Sequence, residues 1–579
     1  MREAFITVWP YLRKHKRALA LGLGALILKD ALGVSIPLMI KYAIDAVTEG
    51  KPLAYLFAIC AAVLAVSAVK GYFLYKMRVI LVGMSRDVEY EMRNDLFWKL
   101  STLDAPFFHR YRTGDIMARA TSDINAVRMM LGPALMYWTE NVLTFFLAVC
   151  VMLWVDWKLT LWALSPAPLI SIAVAVFGKR IHKRFQEIQA LVSDISSRVQ
   201  ENFSGVRVVR AYVQEDAELA LFATLNRDFI AQNIRLARLS SLFMPALQAM
   251  VGVTFLAVLW AGGTRLLAGE ITIGSFVMFN TFMGLLVWPL IAFGWVVNLT
   301  ERGRASLKRL REILDSEPAI AVPESPAAAP ETPGAIEFSG VRVSRDGRDA
   351  ITGIDLTVNE GETVAVVGRT GCGKSTLVHL VPRLIDPSEG TVRIGGRDLR
   401  EYDPAALRSL IGFVPQETFL FSGSLADNIA FGRSGATRDE ILRAAEIAGL
   451  DADLATFPDG LETVVGERGL TLSGGQKQRT AIARAVLLEP QILILDDALS
   501  AVDTVTEERI LTRLRAFMAG RTTIIISHRV STVKQANRIL VLDKGRIVES
   551  GTHAGLVSHD GYYAELDRRQ SLEEELETL

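Results

Sequence analysis

The chain has 579 residues, half of them hydrophobic, with 63 Lys plus Arg set against 63 Asp plus Glu. That length allows several domains, and the apolar half and positive mean hydropathy are high for a wholly soluble protein. Charge neutrality is silent about a nucleic-acid partner, and three cysteines (Cys60, Cys150, Cys372) without metal-ligand spacing imply neither a disulfide framework nor a Cys-based metal centre.

The N-terminus, MREAFITVWPYLRKHKR, lacks the short apolar core and cleavage site of a secretory signal. It reads as an amphipathic helix at the membrane surface with its basic end toward the cytoplasm. Apolar stretches follow near 18–46, 53–82, 133–155, 158–178, 243–267 and 273–299, which gives about six bilayer spans on a requirement of roughly 20 apolar residues each. Cys60 and Cys150 fall within these runs as packing residues. The spans pair through short connectors, Thr48 to Pro52, Asp156 to Lys158 and Ala268 to Thr272. Between the pairs lie two long charged segments, near 83–132 and 179–242. Both are rich in Lys and Arg, as are the N-terminus and RGRASLKRLRE after the last span. The positive-inside rule therefore puts both termini and both segments in the cytoplasm. Helical periodicity persists in them, as in MSRDVEYEMRNDLFWKL, so they read as membrane helices continued beyond the bilayer.

Lys29, Asp30, Lys70, Glu140 and Arg265 interrupt the apolar runs. Ionisable residues are costly there and pair, snorkel or face a cavity. Two readings stay open: mutual pairing, or a translocation path in which Asp30 or Glu140 meets a cationic substrate.

Residues 1–315 thus form an α-helical transmembrane domain with an N-terminal interfacial helix. Residues 316–334, SEPAIAVPESPAAAPETPG, form a Pro-, Ala- and Glu-rich linker. From 335 to 570, short β-type runs alternate with helical patterns, as in an α/β domain. An acidic tail, 571–579, closes the chain.

Within the α/β domain, GETVAVVGRTGCGKSTLVHL is a strand, a Gly-rich turn and a helix start. Gly368, Gly371 and Gly373 let the amides of the loop, which includes Arg369, Thr370, Cys372 and Thr376, turn toward phosphate oxygens. Lys374 reaches the terminal phosphates and Ser375 ligates Mg²⁺. ILILDD supplies the partner strand, delivering Asp496 to the same metal shell. The cofactors expected are ATP and Mg²⁺. Cys372 reads as a small neutral residue within the loop.

TLSGGQKQR (471–479) resembles the signature of ATP-binding-cassette (ABC) proteins, and the landmarks follow that family's order. They run from the phosphate loop through Gln416 in VPQETFLFSGSLADNIAFG, VGERG at 465–469 and LSGGQ to ILILDD, SAVD and His528 in IIISHR. With six preceding spans, and with 107–128 and 201–216 similar to the family's two intracellular loops, the chain resembles an ABC exporter half-transporter over nearly its whole length. The resemblance implies that two cassettes pack head to tail, each ATP lying between one chain's phosphate loop and the other's Ser473, Gly474, Gly475 and Gln476. It gives Gln416 contact with Mg²⁺ or the attacking water, His528 a bond to the γ-phosphate, and Asp503 a place at the dimer interface. It also implies that short helices near Thr113 to Asp115 and Ser204 to Val206 couple cassette closure to alternating access.

Two positions depart from the pattern. The family usually has Glu after the Mg²⁺ Asp to polarise the attacking water, and this chain has Asp497, one methylene shorter. Arg345 stands where the family commonly stacks Tyr on adenine, and a guanidinium stacks on a base as well. Both departures fall on this chain's own phosphate-loop site, while its signature is intact. That asymmetry resembles the degenerate-site subunit of a heterodimeric multidrug exporter. The expected partners are a second half-transporter, the bilayer of the cytoplasmic (inner) membrane and an amphipathic drug-like or lipid substrate, with no nucleic acid. The alternatives are a homodimeric lipid flippase with a slow Asp base, and a nucleotide-gated regulator that moves no solute.

Overall fold

The computed structural model describes residues 2–345, 347–466, 469 and 471–578, without the side chains of 2–6, 109, 175, 290, 291, 345, 504 and 573–578. Arg345's side chain and two residues of the VGERG element therefore lie outside the described residues. The chain forms two units, 1–103 with 107–317, and 104–106 with 318–579.

The first unit is helical. After α1 (Arg2–Lys14) come α2 (Lys16–Thr48), α3 (Leu53–Thr102), α4 (Thr113–Val155), α5 (Trp157–Ser204), α6 (Glu215–Leu267) and α7 (Ile273–Leu314), all long and apolar enough to cross a membrane. At about 1.5 Å per residue, helices of 33 to 53 residues are longer than the roughly 30 Å of hydrocarbon they cross, so most project well past it. The helical continuations expected over the charged segments are these projections. Helix α4 widens into π-turns at Arg119–Asp123 and Met130–Ala134. The second contains Pro133, whose ring cannot fit an α-turn and whose nitrogen donates nothing. Gly303 of α7 lies against that bulge: a Cβ there would fall 2.4 Å from Met130 Cβ.

Two apolar clusters hold this unit. One joins Val34, Met152, Leu159, Phe279 and Phe282, and the other joins Leu12, Met84, Val88, Ile124, Val127 and Leu307. Buried charges bind the helices too. Asp123 takes Ser306 Oγ at 2.8 Å and the Arg309 guanidinium, and Arg119 Nη1 meets Glu312 at 3.0 Å. Asp45, which hydrophobic patterning hid inside α2, accepts Gly274 N at 3.0 Å and so covers an unpaired N–H at the start of α7.

Among the described residues the second unit contains three sheets. The four-stranded sheet has the order β2 (Arg348–Val358), β1 (Ile336–Arg345), β4 (Glu389–Ile394), β5 (Arg397–Asp398). The six-stranded sheet runs β12 (Arg546–Gly551), β11 (Arg538–Asp543), β3 (Thr363–Gly368), β10 (Thr522–Ile526), β9 (Ile492–Asp496), β6 (Ile411–Val414). A small pair joins β7 (Gly423–Ser424) to β8 (Val464–Val465). Strands β11, β3, β10, β9 and β6 are parallel. Every residue of β9 and β10 is buried, as expected for parallel strands covered on both faces.

Two boundaries differ from the sequence reading. The Pro-rich 316–334 segment is not a free tether: Ala327 N donates to Glu401 O at 2.9 Å, Ile320 is buried, and Arg383 Nη2 holds Ala321 O at 3.1 Å. The supposed acidic tail continues the last helix, Tyr562–Thr578, because its Glu- and Leu-rich composition favours helix over coil.

Candidate functional site

The topology brings four motifs to one edge of the six-stranded sheet. The phosphate loop leaves β3, His528 follows β10, Asp496 and Asp497 end and follow β9, and Gln416 follows β6. These are four adjacent parallel strands, and ligands bind beyond the carboxyl ends of such strands. Register keeps the ends level, with Ile526 opposite both Val366 and Asp496, and Val414 opposite Leu495.

The loop between β3 and α8 (Lys374–Leu380) needs its glycines. Gly368 and Gly373 have φ of 151° and 106°, and a Cβ would lie 2.2 Å from Leu542 O at the first and 2.4 Å from Ala350 O at the second. Lys374 is buried, its Nζ donating to Gly368 O at 2.9 Å and Arg369 O at 3.0 Å. The ammonium thus closes the loop on itself. Arg369, Thr370 and Gly371 are exposed, and Ser375 and Thr376 half-buried. Cys372 is buried beside Lys374, and burial pushes its thiol pKa up, so it is chiefly a packing group.

Asp496 is almost wholly buried, and burial pushes its carboxyl up against the opposing hydrogen bond from Ser375. Its Oδ1 has no hydrogen-bond partner. A buried carboxylate oxygen left open beside a serine hydroxyl suits a hard divalent cation such as Mg²⁺, which takes one or two protein oxygens and completes its shell with phosphate and water.

Asp497 has a left-handed backbone, φ 50°. Its N–H donates to Ile526 O at 3.0 Å, and its carbonyl accepts from Ser500 Oγ at 3.0 Å. Gln416 is exposed, and His528 is half-buried.

The signature begins helix α9 (Gly474–Leu487). Ser473 is its N-cap in a reciprocal capping box with Gln476, with Gln476 N to Ser473 Oγ at 3.3 Å and Ser473 N to Gln476 Oε1 at 2.9 Å. Ser473 and Gly474 are exposed while Gly475 is buried. Asp453, which sequence reasoning missed, accepts from Gln476 Nε2 at 3.0 Å and Arg479 Nη2 at 2.7 Å. Also missed was Gln478, which donates to Ser500 Oγ at 2.9 Å and accepts Ala501 N at 2.9 Å, tying the signature helix to the loop after Asp497. Asp503 caps helix α10 (Thr504–Met518), accepting Thr506 N at 2.9 Å. That backbone hydrogen bond holds its carboxyl below the usual Asp range.

In the helical unit, Asp30 and Glu140 converge on one ammonium, with Lys29 Nζ 2.7 Å and 2.6 Å from them. Arg265 pairs with Asp156 and Glu270 at the connectors, and Lys70 lies over Gly33. A cavity of ≈ 1040 Å³ opens elsewhere, walled by Trp138, Phe145, Phe146, Phe243, Phe293 and Trp295. Asn141, Ser171, Lys179, His182, Asn298 and Glu301 supply its polar points, and neither Asp30 nor Glu140 lines it. Of the two readings left open for those acids, pairing is the one these contacts describe. Aromatic walls with few polar groups fit amphipathic organic ligands.

Comparison with known proteins agrees with this geometry. Residues 19–290 match the family "ABC transporter transmembrane region", and 351–500 match "ABC transporter". The chain is 40% identical over 497 residues to a probable multidrug resistance ABC transporter ATP-binding/permease protein of Bacillus subtilis, covering 85% of this chain and 84% of the relative. It is 32% identical over 564 residues to the ATP-dependent lipid A-core flippase of Syntrophus aciditrophicus, covering 97% and 94%. A solved bacterial Atm1-family ABC exporter with ATP bound superposes with a TM-score of 0.80 at 29% identity, covering 96% of this chain and 98% of that one.

Proposed function

The chain belongs to the ABC transporter family, as a multi-pass exporter with its membrane helices and ATPase domain in one polypeptide, and from that premise we propose that it exports amphipathic compounds across the cytoplasmic membrane by alternating access. Exporters of this family act as dimers, so the chain supplies half of the machine. The observation that carries the substrate class is the ≈ 1040 Å³ aromatic cavity among the membrane helices.

ATP binds at the loop 368–376, where glycine amides and Lys374 compensate phosphate charge. Ser375, Asp496 and Gln416 would hold Mg²⁺, which would neutralise charge on the terminal phosphates. Ser473 and the amides of Gly474 and Gly475 face the other chain's ATP, and this contact draws the cassettes together. His528 bonds the γ-phosphate of the chain's own ATP, and Asp497 occupies the position of the water-polarising base. Arg345 supplies a guanidinium to the adenine. Cassette closure reorients the spans, and loss of the γ-phosphate releases them.

The partner is a different half-transporter. Asp497 is one carbon short on a backbone pinned at both its N–H and its carbonyl, so this chain's own site turns over slowly while its intact signature serves the partner's competent site. Both termini and the nucleotide unit face the cytoplasm, following the Lys and Arg excess in the segments around the spans.

Inside-out membrane vesicles carrying the chain and its partner test the reading. ATP-dependent accumulation of a lipophilic cationic dye is expected, and its absence with movement of labelled lipid across the bilayer favours the flippase suggested by the lipid A-core relative. Neither movement, with nucleotide binding intact, favours the regulator and overturns export.

A further inference from the structure

The last helix, α11 (Tyr562–Thr578), is fastened to the nucleotide-binding unit at its start. Glu549 of β12 accepts Tyr562 N at 2.6 Å and Tyr563 N at 3.3 Å, occupying N–H groups that a helix start leaves open. Gly561 makes room, since a Cβ there would sit 2.4 Å from Glu549 Oε1. Tyr563 is fully buried among Val367, Val530, Val533 and Val541, and its hydroxyl lies 2.9 Å from His553 Nδ1. The guanidinium of Arg369, in the phosphate loop, lies 5.8 Å from the Tyr562 ring centre.

About two helical turns beyond Tyr563, on the same face, Gln570 meets the loop after β10. Its Nε2 donates to His528 O at 2.6 Å, and its Oε1 accepts Val530 N at 2.7 Å. On its other side the loop is held by Arg529, which pairs with Glu507 and donates to Val502 O at 3.1 Å. The His528 imidazole makes no hydrogen bond among the described residues, so the backbone beneath it sets its direction.

We propose that Gln570 is a positioning residue for ATP hydrolysis: its amide clamps the main chain on either side of Arg529 and so aims His528 at the γ-phosphate. This rests on the reading of His528 given above. The primary amide of a glutamine offers an N–H donor and a carbonyl acceptor side by side at the end of one side chain. Glutamate keeps the acceptor for Val530 but confronts the His528 carbonyl with a carboxylate, and methionine of similar length supplies neither partner. A misplacement of about 1 Å at a reacting group costs up to ~10²-fold in rate, so the clamp acts on turnover more than on binding.

The test uses the full-length chain, with its partner, in lipid nanodiscs. Radiolabelled 8-azido-ATP is loaded and photo-attached at successive times. The chains are then separated, and the fraction of nucleotide on this chain that has become ADP is followed, over hours if needed. This reads hydrolysis at the chain's own site however slow, while initial labelling reads binding. Gln570→Glu and Gln570→Met are expected to slow conversion by about tenfold with labelling within about twofold of the parent. In a His528→Ala chain, already slowed, Gln570→Met is expected to add nothing, because the two residues act as one unit. Gln570 variants that convert at the parent rate while His528→Ala is slow overturn the inference alone. So do losses that multiply in the double variant, or labelling that falls together with conversion, since these mark a general structural role. If His528→Ala converts normally, the reading of His528 fails and the inference fails with it.

Discussion

Lys29 Nζ stands 2.6 Å from Glu140 Oε1 and 2.7 Å from Asp30 Oδ1, so one ammonium serves two carboxylates within the membrane unit. Lys29 and Asp30 are nearly inaccessible, and Asp30 Oδ2 has no further partner. Breaking a buried pair by removing one member leaves charge without compensation. Lys29→Met is therefore expected to cost on the order of 3 kcal/mol of stability, seen as an early melting transition of the detergent-solubilised protein. Glu140→Gln should cost far less, because Lys29 keeps Asp30. A Glu140→Gln protein that melts normally yet loses transport would show that the acid serves substrate.

The cavity makes a separate prediction. Trp138 and Phe293 form an edge-to-face pair at 5.1 Å, and both line the cavity. Losing either ring removes apolar area and a contact worth roughly 1 kcal/mol. Trp138→Ala or Phe293→Ala should raise the dye concentration for half-maximal uptake by roughly fivefold. Unchanged uptake curves in both variants would move the substrate elsewhere.

Asp503 has a structural task visible in the fold and a dimer-interface task implied by family resemblance. The two separate by substitution, because Asn also caps helices but carries no charge. If the cap is its only task, Asp503→Asn matches the parent in melting and turnover while Asp503→Ala melts earlier. Loss of turnover in Asp503→Asn at unchanged melting assigns the charge to the interface. Because the folded-state pKa is lowered, the stabilisation from the charged cap is complete above the ordinary Asp range near pH 4. It is lost as pH falls through the lowered value, so any melting difference between the parent and the Asp503→Asn chain should vanish in that acid window.

Much of this was legible because it is written in local pattern. The spans are apolar runs of sufficient length, and Gly368, Lys374, Ser375 and Asp496 sit at fixed distances from recognisable strands. Residues that act across the fold left no such trace. Gln570 is one glutamine in a charged helix and touches His528 only because α11 packs on β3 and β11. Asp453 and Gln478 likewise find their partners through tertiary placement. The acidic end of the chain looked like a tail because its charge suggested solvent, although the same residues favour helix. For Asp30 and Glu140 pairing and a path both stayed open, because periodicity cannot say that Lys29 faces both.

The proposed role of Asp497 as a weakened base gives the sharpest test of the proposed heterodimer. With its N–H held by Ile526 and its carbonyl by Ser500, the main chain has little freedom to advance the shorter carboxylate. The carboxylate thus stays on the order of 1 Å short of where a glutamate would reach, enough for up to ~10²-fold in rate. The left-handed conformation is no bar to the longer side chain, since Glu489 adopts φ 49° in the same unit. Asp497→Glu in the assembled transporter should therefore speed hydrolysis at this chain's site by tenfold or more, whereas Asp497→Asn should change an already slow site little. Both are read by the conversion of photo-attached nucleotide on this chain. If Asp497→Glu leaves conversion unchanged and Asp497→Asn abolishes it, Asp497 is a competent base, and the case for a degenerate site paired with a different partner falls.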